Sequence, residues 1–199
     1  MRITGGCWRS RRLRGPRRGM PLRPTPDAMR ERAFAVLGEQ VPGARVLDLF
    51  AGTGAVGLEA LSRGARAVVL VERHRAAASL IRANLQDLAV TEQQARLLVR
   101  PAQQAVRELA RAEKQFQLAW ADPPFEQWQQ GLEALVLAFE LALLAADAIA
   151  CLECPAQADL ALVSQQLRVT RELGGGASRV LLLQLREPHD DNAPGGGGC

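Results

Sequence analysis

Asp122-Pro123-Pro124-Phe125 follows an apolar run, Phe116–Ala121, and is the segment of this chain best suited to chemistry. An amine on an aromatic ring is a poor nucleophile, because its lone pair is delocalised into the ring. A carboxylate and a carbonyl that accept its N–H groups localise that pair on nitrogen, where it can take up a methyl group. The Asp122 carboxylate and the Pro123 carbonyl form such an acceptor pair, and two consecutive prolines fix the backbone that carries them. Phe125 adds a flat face on which an extruded nucleic-acid base can stack. A rigid strand-to-loop turn is the plainer reading of the same residues.

A second segment, Val46-Leu47-Asp48-Leu49-Phe50-Ala51-Gly52-Thr53-Gly54-Ala55-Val56-Gly57, runs from an apolar stretch through a glycine-rich turn into a helical pattern. Gly52-x-Gly54-x-x-Gly57 satisfies the dinucleotide fingerprint, in which glycines permit a tight turn and close approach of a ligand to the backbone. Glu72 follows about 20 residues later, the spacing of an acid that binds ribose hydroxyls. The pair predicts an adenosine-containing cofactor without separating a nicotinamide dinucleotide from S-adenosylmethionine. Asp48 favours the latter. An acid so close to a pyrophosphate would repel it, whereas it can orient the loop and, through water, meet the ammonium of a methionine moiety. The plainer readings are that Asp48 only ties the loop together and that Glu72 is a solvated acid at a strand end. The acceptor pair at Asp122 tilts the balance to a methyl donor.

Glycine loop, Glu72 and Asp122 can share a site only if the ends of several strands lie along one edge of a sheet. Strand-like runs are predicted over Arg45–Phe50, Ala67–Glu72, Ala95–Arg100, Phe116–Ala121 and Ala148–Glu153. Helical patterns near Ala55–Ser62, Arg75–Leu88, Ala102–Ala112 and Gln127–Ala145 alternate with them. Such alternation predicts an α/β fold, a parallel sheet with helices on both faces, whose ligands bind outside the carboxyl ends of the strands. Leu167–Leu173 and Arg179–Leu185, joined by Gly174-Gly175-Gly176-Ala177-Ser178, predict a terminal antiparallel hairpin. Ahead of this unit, Asp27–Leu37 reads as a helix that Asp27 can cap, with Met29, Ala33, Val36 and Leu37 on its apolar face.

The chain therefore divides into an N-terminal arm and helix over 1–43, a main α/β unit over 44–187, and a tail over 188–199. Four glycines near its end and little to pack predict a disordered tail. The net charge of +4 is concentrated in the arm, where Arg2, Arg9, Arg11, Arg12, Arg14, Arg17, Arg18 and Arg23 occur before the first acid, Asp27. That is an electrostatic footprint for phosphates; the alternative is a solvated basic tail. Trp8 could stack on a base or anchor the arm, and Trp120 is expected in the core. Trp128 could border the base pocket or cover the next helix. His74 is at most a neighbour of the cofactor, and His189 in the tail has no role. Hydrophobic residues make up 48% of the chain and charged residues 23%, as in soluble globular proteins. No apolar run approaches the roughly 20 residues of a membrane span, nor the core of a secretory signal, so a cytoplasmic protein is expected. Cys151 and Cys154 could be half a zinc site, but no second pair has metal-ligand spacing, so no metal is expected. Three residues apart on a strand, they would face opposite ways as buried thiols.

The sequence resembles the bacterial 16S ribosomal RNA guanine-N2 methyltransferases, one branch of the enzymes with an Asp/Asn-Pro-Pro-aromatic motif. The resemblance runs through Met1-Arg2-Ile3-Thr4-Gly5-Gly6, Trp8-Arg9 and Arg11-Arg12-Leu13, then Leu22-Arg23-Pro24-Thr25, Asp27, Arg30-Glu31 and Phe34. It continues over Leu47–Gly54 and Gly57–Gly64 and extends to about Glu187. It implies a Rossmann-like, seven-stranded class I methyltransferase sheet and S-adenosyl-L-methionine as methyl donor. The substrate implied is the exocyclic N2 of a guanine in small-subunit ribosomal RNA, within a particle or assembly intermediate; a monomer is the default. Asp122, Pro123, Pro124 and Phe125 would form the target-base site. Asp48, Phe50, Ala51, Gly52, Thr53, Gly54, Glu72 and Arg73 would hold the cofactor, with Arg23, Pro24 and Thr25 lying over it. Arg2, Trp8, Arg9, Arg11, Arg12, Arg14, Arg17, Arg18 and Arg30 would meet RNA. The chain departs from the family's habit at the end of the third strand, where Arg100-Pro101-Ala102 stands in place of an acid or amide that reaches adenine. That contact would fall to backbone or to Gln103. His74 stands where an acid is common, Cys7 and Ser10 where Lys or Gly is, and Ala28 where Arg is. A DNA or other RNA amino-methyltransferase acting on adenine or cytosine, a nicotinamide oxidoreductase and a catalytically inactive RNA-binding protein are the alternatives.

Overall fold

A computed structural model describes residues 1–16, 25–112 and 115–186 of the chain. Seven strands form one sheet in the order β3-β2-β1-β4-β5-β7-β6. They are β1 (Arg45–Asp48), β2 (Ala67–Val71), β3 (Ala95–Leu98), β4 (Phe116–Ala121), β5 (Leu144–Pro155), β6 (Leu167–Gly175) and β7 (Ser178–Leu185). The first five run parallel, while β7 lies antiparallel to both β5 and β6. The strand order reverses between β1 and β4, so their carboxyl ends diverge and leave a crevice there.

Strands buried on both faces need apolar residues on both, and β2 (Ala67–Val71), Val46-Leu47 of β1 and Leu118–Ala121 of β4 supply them. One face carries Leu47, Val69, Ala119 and Leu152 against α4 (Ala102–Ala112) and α5 (Trp128–Glu140). The other carries Val46, Leu70, Trp120 and Cys151 against α1 (Asp27–Leu37), α2 (Ala55–Ser62) and α3 (Arg75–Asp87). Phe34 of α1 stacks on Trp120, with ring centroids 6.1 Å apart and planes 4° from parallel. Trp120 and Trp128 are both core residues. Cys151 and Cys154 are buried on opposite faces of the sheet.

Several predicted boundaries move. The helix expected to reach Ala145 stops at Glu140, because Ala142 takes a positive φ of 52° and turns the chain into β5. That strand starts at Leu144 rather than Ala148. A five-residue helix α6, Leu160–Ser164, precedes β6. Asp27 is the first residue of α1 rather than its cap, which is Pro26.

The arm folds back on itself and packs on α2. Arg2 and Arg12 form an antiparallel bridge, and Ile3 and Leu13 are buried against Ala55, Leu58 and Leu88. Gly6 (φ +76°) lies so close to the last turn of α2 that a Cβ there would sit 1.8 Å from the Ser62 carbonyl oxygen. The tail beyond Arg186, with His189, lies outside the described residues.

Candidate active site

The loop after β1 closes the crevice from below. Gly52 (φ +54°) and Gly54 (φ +80°) take left-handed backbone conformations that cost a residue with a Cβ roughly 1–2 kcal/mol. Gly54 then caps α2, whose first residues, Ala55 and Val56, line the cleft. Gly57 serves packing instead. A Cβ there would lie 2.5 Å from Leu70 Cδ2, so its absence lets α2 rest on β2.

Two carboxylates hold this loop. Glu72 accepts the Gly52 N–H at 2.9 Å on one oxygen and the His74 N–H at 2.7 Å on the other. Asp48 accepts the Gly57 N–H at 3.1 Å. Burial pushes the Asp48 carboxyl up to about 7, against which the Gly57 N–H works and to which Glu72 adds. Asp48 is 1% exposed, and its hydrogen bond to Gly57 gives it the loop-orienting role expected of it. Its carboxylate is committed to the loop from beneath. Gly54 likewise shapes the wall without lining it.

At the far side of the crevice, Asp122 leaves β4 partly exposed to the cleft. Pro123 is buried against α5. A Cβ on Gly131 would meet Pro123 Cγ at 2.8 Å, so that glycine lets the helix approach the rigid turn. Phe125 opens a short 3-10 turn and lines the cleft half-buried. The Thr25 hydroxyl donates to Asp122 Oδ2 at 2.8 Å. Desolvation raises the Asp122 carboxyl well above the usual range. Glu153 and, more weakly, Asp48 push the same way, and the Thr25 hydrogen bond opposes them.

The cleft between these walls measures about 900 Å³, within the range that encloses small-molecule ligands. Phe50, Ala51, Gly52 and Thr53 line one side, with Glu72, Arg73 and His74 at the end of β2. Thr25, Asp122, Pro123, Pro124 and Phe125 line the other. Of the residues after β3, Arg100 and Ala102 line it and Gln103 does not. The left-handed glycines, the helix N-terminus and the acid at the end of β2 fit an adenosine-bearing ligand on the loop side. Arg23 and Pro24 lie outside the described residues.

Three contributors were not singled out in the sequence. Glu153, at 3% exposure, follows Leu152 on β5 just as Asp122 follows its register partner Ala121 on β4. Only strand pairing brings these two acids together. Ser178, at the start of β7, lines the cleft beside them. Asn84 of α3 donates to the carbonyls of Thr53 (2.9 Å) and Arg14 (3.2 Å) and accepts the Arg14 N–H (2.8 Å).

The basic arm is sorted by the fold. Arg2, Arg9, Arg11 and Arg12 are exposed. Arg14 is also exposed but forks onto Asp87, at 2.6 and 2.8 Å. Trp8 is half-buried and packs on the apolar clusters beneath the arm, so it is an anchor. Arg30 is a correction: its side chain is fully buried and cannot meet a phosphate. It reaches Glu59 (3.3 Å), Asp27 (3.1 Å), the Thr25 carbonyl (3.3 Å) and the Arg2 carbonyl. Glu59, itself buried, also accepts from Thr4, Gly5 and Arg63, so one ion pair at the base of α2 ties down both ends of the arm. Arg17 and Arg18 lie outside the described residues.

Strand order, antiparallel β7 and a crevice at the reversal point define a Rossmann-like class I methyltransferase fold. The chain belongs to the family described as "Conserved hypothetical protein 95", which it matches over residues 1–184. It is 34% identical over 195 residues to Ribosomal RNA small subunit methyltransferase D of Escherichia coli (strain K12), covering 97% of this chain and 94% of that one. Among solved structures, the putative methyltransferase yhhF from Escherichia coli superposes with a TM-score of 0.77 at 33% identity, over 93% of this chain and 97% of that one. TrmN from Thermus thermophilus, at 23% identity and a TM-score of 0.59, shares the fold over 78% of this chain and 48% of its own. Among the described residues no helix is long and apolar enough to cross a membrane.

Proposed function

We propose that this chain transfers a methyl group from S-adenosylmethionine to the exocyclic N2 of a guanine in small-subunit ribosomal RNA. The observation that carries the reading is the Asp122 acceptor, fixed by Pro123 and Pro124, facing the glycine loop across one cleft. S-adenosylmethionine, when bound, supplies an electrophilic methyl group on a good leaving group. On the loop side, the turn at Gly52 and Thr53 lets a ligand approach the backbone closely, and Glu72 retains lone pairs for ribose hydroxyls. On the other side, Phe125 stacks the extruded base while Asp122 and the Pro123 carbonyl accept its amine hydrogens. That grip would leave the nitrogen lone pair free on the side of the cleft where the glycine loop would hold the methyl donor. In the transfer the new N–C bond would replace the methyl–sulfur bond, the thioether would leave, and Asp122, with its carboxyl already raised by burial and Glu153, would accept the proton released by the amine. Orientation of this kind supplies up to ~7–11 kcal/mol in intramolecular reference reactions.

Arg2, Arg9, Arg11 and Arg12 are the exposed cations with which the arm would neutralise phosphates. In this reading the segment 1–43 docks RNA and covers the cofactor, and 44–187 carries the chemistry. The name of the Escherichia coli relative supports ribosomal RNA as substrate; a small-subunit particle or assembly intermediate is the form of it proposed here. The test is transfer of labelled methyl to small subunits lacking their guanine-N2 modifications, by wild-type and Asp122→Ala protein. Label recovered as N2-methylguanine with wild type, falling at least 100-fold in the variant while cofactor affinity holds, is expected. Equal turnover of the two proteins refutes the role of Asp122. No labelled guanine at all refutes the substrate.

A further inference from the structure

We propose that Glu153 reads the target base, its carboxylate accepting the ring N1–H of guanine while Asp122 and the Pro123 carbonyl hold the neighbouring 2-amino group. This rests on the proposed function, in which a base amine enters beside Asp122.

Three observations carry it. Glu153 lies beside Asp122 on the adjacent strand and on the same side of the sheet, continuing the face of Cys151 as Asp122 continues that of Trp120. It lines the same cleft, yet it is 3% exposed. Among the described residues, its Oε2 has no hydrogen-bond partner. A buried carboxylate oxygen left without a donor costs stability, and at a cleft wall it is an acceptor that an entering ligand can satisfy. Burial raises the Glu153 carboxyl, which the hydroxyls of Ser178 and Thr25 only partly offset. Among the described residues, no lysine or arginine belongs to the part of the cleft wall formed by Thr25, Asp122, Glu153 and Ser178. Arg73 and Arg100 belong to the ends of β2 and β3, across the crevice.

The missing donor has a definite chemistry. Guanine is the one standard base whose exocyclic amine adjoins a ring N–H. Adenine and cytosine carry a ring lone pair beside theirs, and uracil has no amine. A second acceptor next to the amine-gripping pair therefore completes a three-acceptor edge that matches guanine and faces adenine or cytosine with a lone pair. In the structure the Thr25 hydroxyl donates to Asp122 Oδ2, so it stands where the amine hydrogen goes and yields when the base enters.

The experiment compares wild type with Glu153→Gln, which keeps the shape and presents one donor and one acceptor. After the modified nucleotide is mapped with wild type, small subunits are prepared with guanine or adenine there. Methyl transfer is measured for both, and the product nucleoside is identified. The expected result is a 10- to 100-fold fall in guanine methylation by Glu153→Gln with no matching fall on adenine, so that the guanine preference narrows. That range corresponds to the discrimination of ~1–3 kcal/mol carried by one base-reading pair. S-adenosylhomocysteine affinity should stay at the wild-type value. An unchanged guanine-to-adenine ratio, or loss of S-adenosylhomocysteine binding, overturns the role of Glu153 alone. A wild-type protein that labels adenine or cytosine instead of guanine overturns the proposed function and this inference together.

Discussion

Replacing Asp48 by Asn should flatten the dependence of stability on pH. In the unfolded chain this carboxyl ionises at its ordinary value of 3.8, while in the folded protein it holds its proton up to about 7. Between those values the folded state binds more protons than the unfolded state, so stability falls as pH rises and the loss is complete above about 7. An interval of roughly three pH units at about 1.4 kcal/mol each gives a loss on the order of 4 kcal/mol. The group is fully enclosed, so solvent screening does not reduce this much. The substituted amide has no such proton to release, and its oxygen can still accept from Gly57. Urea unfolding of both proteins between pH 4 and 8 measures the difference. The wild type should lose several kcal/mol more than Asp48→Asn over that range. Parallel curves would show that Asp48 is ionised throughout and that burial is not what governs it.

Other outcomes follow from the arm. Arg30→Leu breaks the buried pair with Glu59 and should cost ~3–5 kcal/mol in denaturant unfolding. A change within about 0.5 kcal/mol, as for a surface arginine, would refute its buried role. Gly6→Ala forces a Cβ onto the Ser62 carbonyl at a left-handed φ, and should cost at least the ~1 kcal/mol of stability that the φ alone costs, seen as a lower melting midpoint. An unaltered midpoint counts against the close packing of arm on α2. Replacing Arg9 and Arg11 by Gln should reduce the salt dependence of RNA binding by a log–log slope of about 1–2. An identical slope would remove these two from the RNA surface.

Much of the scaffold was legible because it depends on local pattern. The apolar runs and helical periodicity fall where β4, α1, α2 and α4 begin and end. Glycine loop, Glu72 and Asp122 all come to one cleft because parallel strands align their carboxyl ends. The end of α5 was not legible, since Leu141–Ala145 is apolar enough for either state and the turn at Ala142 depends on packing. A five-residue helix such as α6 is too short to show a period. Arg30 misled for a physical reason: an arginine on a helix is a surface residue unless a partner such as Glu59, distant in sequence, meets it inside. Glu153 was invisible as a site residue because an acid at the end of an apolar strand looks solvated until β4 lies beside it.

Asn84 has a consequence that reaches beyond its three hydrogen bonds. Its amide is shared between the cofactor loop, at Thr53, and the arm, at Arg14, so neither can shift without loosening the other. In the proposed reaction this shared amide would link occupancy of the loop to engagement of the arm. By reciprocity, whatever factor a bound methyl donor adds to the hold on RNA, bound RNA adds to the hold on the donor.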